Sequence, residues 1–468
     1  MAANKEQWIH MVGIAGAGMS GIARVLKEQG LKVSGSDLQK NGTSSKLEEI
    51  GIQIYEGHQS SNIQEGVDLL VISSAVPPEN IEVETALQRG IPVLKRGEML
   101  ARLANASRGI AVAGAHGKTT TTSMVYTVLE SCGTEPTYIA GGELQGSDLN
   151  ARLGRGEYFV VEADESDASF LALYPHIAVV TNVENDHLDF YKSFDRIKTA
   201  FQKFLQQTDS SGFVLLNGAD PCLREISRTA SARVLLYGED SSFDYYLQNW
   251  QVQGMGSVFE AYRSGQYLGR VSLSVPGRHN AWNALAAIAV AIELGYSFNT
   301  IAASLKNFHG AKRRFQIMGR IGSSVVVDDY AHHPTEIQAT IKAAKGLDFE
   351  RLLVVFQPHR YTRTKLLAQQ FAVSFAQADL VIITDIYAAG EKPIPGVDSQ
   401  MIQRLALQAG ANTIYMKTQE EIESFIRQEI KNNDLIITMG AGDIWKLGMK
   451  LVENNNLPLL GSVNQRRC

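Results

Sequence analysis

The chain of 468 residues is 44% hydrophobic and 20% charged, with a formal net charge of −5. That length is too great for one core and suggests about three domains at roughly 150 residues apiece, while the charge offers no electrostatic case for nucleic acid. Three scattered cysteines, Cys132, Cys222 and Cys468, form neither a disulfide framework nor a metal knuckle, and neither a signal peptide nor an apolar run of about 18 residues is evident, so a cytoplasmic setting without membrane insertion is expected.

In chain order, "WIHMVGIAG" predicts a strand entering a glycine loop, "MSGIARVLKEQG" the helix after it, and "LKVSGSD" a second strand ending at Asp37. "VDLLVISSAVPP" and "IPVLKRGEML" repeat the strand signal. This alternation predicts a parallel sheet and a first domain over 1–107. "RGIAVAG" opens a second domain over 108–312, whose apolar segments "EYFVVEAD", "HIAVVTNV" and "SGFVLLNG" read as buried parallel strands. From about 232 to 275, alternating segments such as "FDYYLQNWQVQ" predict a more antiparallel patch. The unbroken helix "NAWNALAAIAVAIELG" follows. In a third domain, 313–468, "SSVVVDDYA", "RLLVVFQP", "DLVIITDIY" and "DLIITMG" again alternate with helices. The fold class is α/β.

Two glycine loops carry the chemistry. The first, "GIAGAGMSG", has Gly16, Gly18 and Gly21 between a strand and a helix, with Asp37 ending the next strand. Glycines there let backbone approach a diphosphate at a helix N-terminus. A UDP-sugar satisfies the loop as well as NAD does, and a ligand-free tight turn is the bland alternative. The second, "AVAGAHGKTTTT", has a lysine and threonine after a glycine, between a buried strand and a helix. It lacks the four-residue glycine spacing of the usual phosphate loop. Gly114, Gly117, Lys118 and Thr119 nevertheless suit a triphosphate, with Thr119 placed to hold Mg²⁺. Glu162 and His187 follow two strands of the same domain and are candidate ligands for a second magnesium, or else helix caps.

The segments "GIAGAGMSGIARVL", "AGAHGKTTTT", "EADESDASF", "TNVENDHLDFY", "PGRHNAWNALAA", "DDYAHHPTE", "HRYTRT" and "GAGDIW" together resemble the Mur ligases, in order and over nearly the whole chain. The shortened loop is that family's form of the ATP site, except that Ala115 stands where threonine is usual. The resemblance implies a Rossmann-like first domain binding the UDP-sugar, a central ATPase-like domain and a Rossmann-like third domain. It implies ATP-dependent joining of L-alanine to the lactoyl carboxylate of UDP-N-acetylmuramate through an acyl phosphate. Domain closure would keep water from that intermediate.

By the same resemblance, Gly114, Ala115, His116, Gly117, Lys118, Thr119 and Thr120 would line the ATP site, and Thr119, Glu162 and His187 would hold Mg²⁺. His279, Asn280 and Asn283 would lie near adenine, and Arg314 and Asp329 would reach ATP. His332, Arg360 and Arg363, with Tyr330 and His359, would bind the carboxyl groups of the amino acid or the lactoyl arm. Ser36 and Asp37 would meet the uridine, and His58, Ser73 and Ser74 the diphosphate. No carbamylated lysine is expected; Gln202 stands near that place, between Lys198 and Lys203. Three other readings remain. They are a ligase adding a preformed tripeptide during murein recycling, a nicotinamide dehydrogenase argued from "GAGMSG" alone, and a binding protein that has lost catalysis. The segment "LQKNGTSSKLEEIG" favours the alanine-adding type.

Overall fold

The structure is a computed structural model describing residues 7–147 and 150–453; Cys468 and the Arg466–Arg467 tail lie outside them. Five parallel strands make the first sheet, in the order Gln53–Glu56, Lys32–Asp37, Trp8–Val12, Leu69–Ile72, Val93–Lys95. The strand order reverses at Trp8–Val12, and in such sheets ligands collect beyond the carboxyl ends at the reversal. Trp8–Val12 is buried throughout, as a central strand must be. The helix Ala17–Glu28 lays Met19, Ile22, Ala23, Val25 and Leu26 against the sheet, the spacing of one helical face.

The second sheet has ten strands. Thr137–Ile139, Tyr158–Glu162, Arg108–Ala113, Ile177–Val180, Phe213–Asn217 and Arg233–Gly238 run parallel in that spatial order, with Ala151–Arg152 an antiparallel edge. The antiparallel patch starts later than the sequence predicts. Arg233–Gly238 is parallel to its neighbour, and Tyr245 pairs in parallel with Tyr237. Alternation there records a half-exposed face, not strand direction. Only the links from Tyr245–Gln253 to Gly256–Arg263 and on to Gln266–Leu273 are two residues long, as adjacent antiparallel strands allow.

The third sheet runs Gln316–Ile321, Ser324–Asp329, Asp434–Met439, Arg351–Phe356, Leu380–Ile383, Thr413–Tyr415. All neighbours are parallel except the first hairpin. Its strands are apolar at consecutive positions because both faces are covered: Val325 and Val327 pack with Phe356 on one side, Val326 with Leu353 and Val355 on the other. By compactness the chain forms two units. One holds the residues up to Trp250 with Val258–Ser274 and Asn280–Ala311, and so the first sheet and most of the second. The other holds Gln251–Ser257, Val275–His279 and the chain from Lys312.

Candidate active site

The buried strand Arg108–Ala113 delivers the second glycine loop to helix Lys118–Ser131. No side chain caps that helix, so the N–H groups of its first turn, which includes Thr119 and Thr120, point out of its end. That is an anion site by construction. Its N-cap Gly117 has φ +83°, and Asn283 Oδ1 lies 2.9 Å from where a Cβ would stand, so glycine is required twice over. Asn283 donates to Asn280 Oδ1 at 3.2 Å on the buried face of helix Arg278–Glu293. Gly114 passes against the Thr181 hydroxyl.

The loop is short because it is braced from outside. Ala115 N donates to Asn182 O at 3.2 Å, and His116 N to Asn182 Oδ1 at 2.9 Å. Thr181 Oγ1 and Asn182 Nδ2 donate to His116 O at 2.6 and 2.9 Å. The amides of Ala115 and His116 are thus both taken by Asn182. His116 Nε2 lies 3.3 Å from Glu184 Oε2.

Lys118 Nζ donates to Gly114 O at 2.6 Å, Ala115 O at 3.2 Å and Glu165 Oε1 at 2.8 Å. Burial works to lower its pKa, but Glu165, Asp164 and Glu162 outweigh it and hold the ammonium charged. Glu162, the last residue of its strand, accepts from Thr119 Oγ1 at 3.1 Å and Gly141 N at 2.7 Å. His187 is held at φ +57° with Nε2 3.6 Å from both Glu165 Oε1 and Asp186 Oδ2. Burial lowers its pKa; Glu165 and Asp186 raise it further, so the net shift is upward. Glu165 is 3% exposed, and its Oε2 has no hydrogen-bond partner, a costly state for a buried carboxylate oxygen. Thr119, Glu162 and that open oxygen are hard donors that fit Mg²⁺.

In the first sheet the turn is made by Gly13, at φ +76°, whose N–H and that of Ile14 donate to Ser36 O at 2.8 and 3.1 Å. Gly16 is the N-cap of helix Ala17–Glu28, with no side-chain cap. Gly21 departs from its expected role. A Cβ there would stand 3.1 Å from Ala151 Cβ and 3.3 Å from Ile139, so it allows close packing against the second sheet and does not face a ligand. Asp37 braces the loop, accepting from Ala15 N at 2.9 Å and Leu38 N at 2.8 Å. Ser36 also departs from expectation. It is fully buried, donates to Glu82 Oε2 at 2.7 Å and sits 3.1 Å from His58 Nδ1, so its hydroxyl is engaged within the fold. Ser73 and Ser74 line one cleft with Gly16, Gly18, Arg96 and Glu162.

In the third sheet's unit, Tyr330, His332, His359, Arg360 and Arg363 gather beyond the ends of Ser324–Asp329 and Arg351–Phe356, the two strands that flank Asp434–Met439. The rings of Tyr330 and His332 are 5.3 Å apart, and those of His332 and His359 5.9 Å. Arg363 Nη1 donates to His359 Nδ1 at 3.2 Å. His332 Nδ1 is 3.0 Å from Tyr330 O; a carbonyl only accepts, so Nδ1 carries the proton. Burial, with Arg363 nearby, overcomes Glu336 and pushes the His332 pKa down to about 3. Burial with Arg363 and Arg360 takes His359 down to about 4. His332 is therefore neutral at pH 7, and the charge of this cluster is held by the arginines. Arg360 caps helix Tyr361–Ser374 at φ +69°, ψ +139°, a strained conformation worth about 1–3 kcal/mol.

Asp329 likewise departs from direct ATP contact. Its oxygens receive Ala331 N and Phe315 N, each at 2.8 Å, pinning the segment that carries Arg314. Burial raises its pKa to about 6 against the pull of Arg314. Arg314 lies over Tyr330 and pairs with Glu336 at 3.4 Å. His279 groups with Arg314 in this unit, and burial lowers its pKa to about 4. Sequence reasoning missed Gly13, Glu82, Arg96, Glu165 and Asn182. Gly13, Arg96, Glu165 and Asn182 lay inside quoted segments, in "GIAGAGMSG", "IPVLKRGEML", "EADESD" and "TNVENDH"; Glu82 had no signal beyond its place in the fold.

Three family models match in series: Mur ligase family, catalytic domain, over 8–108; Mur ligase middle domain over 112–291; and Mur ligase, glutamate ligase domain, over 313–442. The chain belongs to the Mur ligase family. It is 60% identical to a UDP-N-acetylmuramate–L-alanine ligase of Syntrophomonas wolfei subsp. wolfei, over 97% of this chain and 98% of that one. The crystal structure of UDP-N-acetylmuramate–alanine ligase from Thermotoga maritima matches with TM-score 0.82 at 30% identity, covering 95% of this chain and 98% of that one. A murein peptide ligase from Psychrobacter arcticus matches with TM-score 0.72 at 27% identity, covering 96% and 99%.

Proposed function

We propose that this chain joins L-alanine to the lactoyl carboxylate of UDP-N-acetylmuramate, converting ATP to ADP and phosphate, in peptidoglycan precursor synthesis. The observation that carries this reading is the 60% identity, over nearly the full length, to a ligase of that name. The tripeptide-adding alternative is represented by solved relatives at 27% and 31% identity, the latter over 66% of this chain, and is not favoured beside 60% identity over nearly the full length. No described helix is long and apolar enough to cross a membrane, and the reading places the enzyme in the cytoplasm, where its substrates are.

In this reading, 1–107 binds the UDP-sugar, 108–312 binds ATP and 313–468 binds the amino acid. A carboxylate oxygen of the muramate attacks the γ-phosphorus of ATP and ADP departs, giving an acyl phosphate. The amine then attacks the carbonyl carbon, loses a proton, and expels phosphate. Lys118 and the first-turn N–H groups balance charge on the transferring phosphoryl, where positioning and neutralisation supply most of the catalysis. Thr119, Glu162 and Glu165 would hold Mg²⁺, with His187 beside them; the ion would supply further neutralisation of the phosphates. Arg360 and Arg363 present the paired donors that suit a carboxylate. Incubation with UDP-N-acetylmuramate, ATP, Mg²⁺ and L-alanine, glycine, L-serine or the tripeptide, read by product mass, tests the reading. L-alanine should be preferred. Product from the tripeptide alone would replace this reading with the recycling ligase.

A further inference from the structure

We propose that Arg96 binds the diphosphate of the sugar nucleotide and is positioned for it by Asp164, an inference that rests on the ligase reading. Arg96 opens helix Arg96–Ala104, at the carboxyl end of the edge strand Val93–Lys95 in the first sheet. Its side chain lies flat on Gly18. A Cβ at 18 would stand 3.0 Å from Nη1 and 3.1 Å from Cδ, so any larger residue would displace the guanidinium. Gly18 is in the first turn of the helix whose N-cap, Gly16, has no side-chain cap. Outward-pointing N–H groups and a guanidinium therefore meet at one spot.

Nη2 donates to Asp164 Oδ2 at 3.0 Å and lies 3.8 Å from Asp167 Oδ2. Those contacts leave Nε and Nη1 without a partner among the described residues. Arg96, Ser73 and Ser74 line the same cleft as Glu162 and Asp164. A strut joining two domains needs only the Asp164 contact. It explains neither the missing Cβ at 18 nor the open donors beside an uncapped helix end, whereas a planar donor fork for phosphate oxygens explains both.

The test is calorimetry on the full chain with two probes, UDP and UDP-N-acetylmuramate, for wild type, Arg96→Met, Arg96→Lys and Asp167→Asn. Arg96→Met keeps the stem and loses the charge. It should weaken both probes by about ten- to hundredfold, the scale of a lost hydrogen bond to a charged group, and leave the KM for ATP within about threefold of wild type. Arg96→Lys should recover part of that loss. Asp167→Asn should leave UDP affinity unchanged, because Arg96 and Asp164 remain. Unchanged UDP affinity in Arg96→Met would overturn the proposal, and so would a loss confined to UDP-N-acetylmuramate, which would assign Arg96 to the sugar's carboxylate. Equal melting-temperature losses in Arg96→Met and Asp167→Asn without any change in affinity would make it a strut. Wild type that forms no alanine product would instead refute the ligase reading itself.

Discussion

Glu165 stands between Lys118 and His187, with Oε1 2.8 Å from Lys118 Nζ and 3.6 Å from His187 Nε2. One buried carboxylate thus orients two groups at the phosphate loop while its other oxygen stays open. Lys118→Ala should cut turnover by on the order of a thousandfold, like removal of other charge-stabilising groups. Glu165→Gln keeps the shape but not the charge. It should lower kcat by about ten- to hundredfold and raise the Mg²⁺ concentration needed for half-maximal rate. Steady-state kinetics across a magnesium series checks both, and near-normal turnover in folded Lys118→Ala would sink the ATP assignment.

His332, in the second unit, gives a pH prediction. An unfolded histidine takes up a proton near pH 6.5, whereas folded His332 resists until about 3. Through that window the unfolded chain binds more protons, so stability rises with pH. The contribution is fully present above pH 6.5 and is lost as pH falls. At 1.36 kcal/mol per unit, acidifying from about 6.5 to 5 costs about 1–2 kcal/mol from this residue. His332→Gln should flatten the plot of urea midpoint against pH by that amount. An unchanged slope would mean that His332 does not stay neutral.

Arg360 yields opposite outcomes from two substitutions. Arg360→Lys retains charge but loses the planar fork, so kcat/KM for L-alanine or the muramate should drop by about ten- to hundredfold with ATP affinity unchanged. Arg360→Gly should be at least as impaired, yet more stable by about 1 kcal/mol, because φ +69° is strained for arginine and free for glycine. Differential scanning calorimetry beside activity assays reads this trade; a Gly variant melting below wild type would show that Arg360 stabilises the fold more than its backbone strains it.

Glu82 is fully buried and accepts from His10 Nε2, Ser36 Oγ, Asn62 Nδ2 and Gln59 N at 2.7–3.2 Å. These bonds outweigh burial and hold its pKa low. Glu82→Ala leaves several buried donors unmatched and should destabilise the protein by about 3 kcal/mol or more. A urea midpoint within error of wild type would refute that account.

The alternation of strands and helices, and with it the α/β class, was legible because long apolar strands such as Ile177–Val180 are buried on every residue. Short edges such as Ala151–Arg152 carry too few residues for a period. The strand–loop–helix turn at Gly117, Lys118 and Thr119 was legible because its signals are local. Gly21 was misread because the same spacing serves helix packing when a second sheet lies opposite. The charge of His332 was not legible, because sequence names an imidazole but not its burial, and burial decides its charge. Arg96 and Glu82 were invisible, since their partners lie 68 and 46 residues away.

The grip of Thr181 and Asn182 on Ala115 and His116 has an evolutionary corollary. This loop is half of a two-part clasp whose other half sits at the end of Ile177–Val180. Restoring the longer glycine spacing by inserting two residues would therefore not repair the loop. It would unfasten it, since each amide now seated on Asn182 would slide out of register. The shortened spacing and the Thr–Asn pair must be inherited together, and a chain that lost either one would lose the nucleotide site with it.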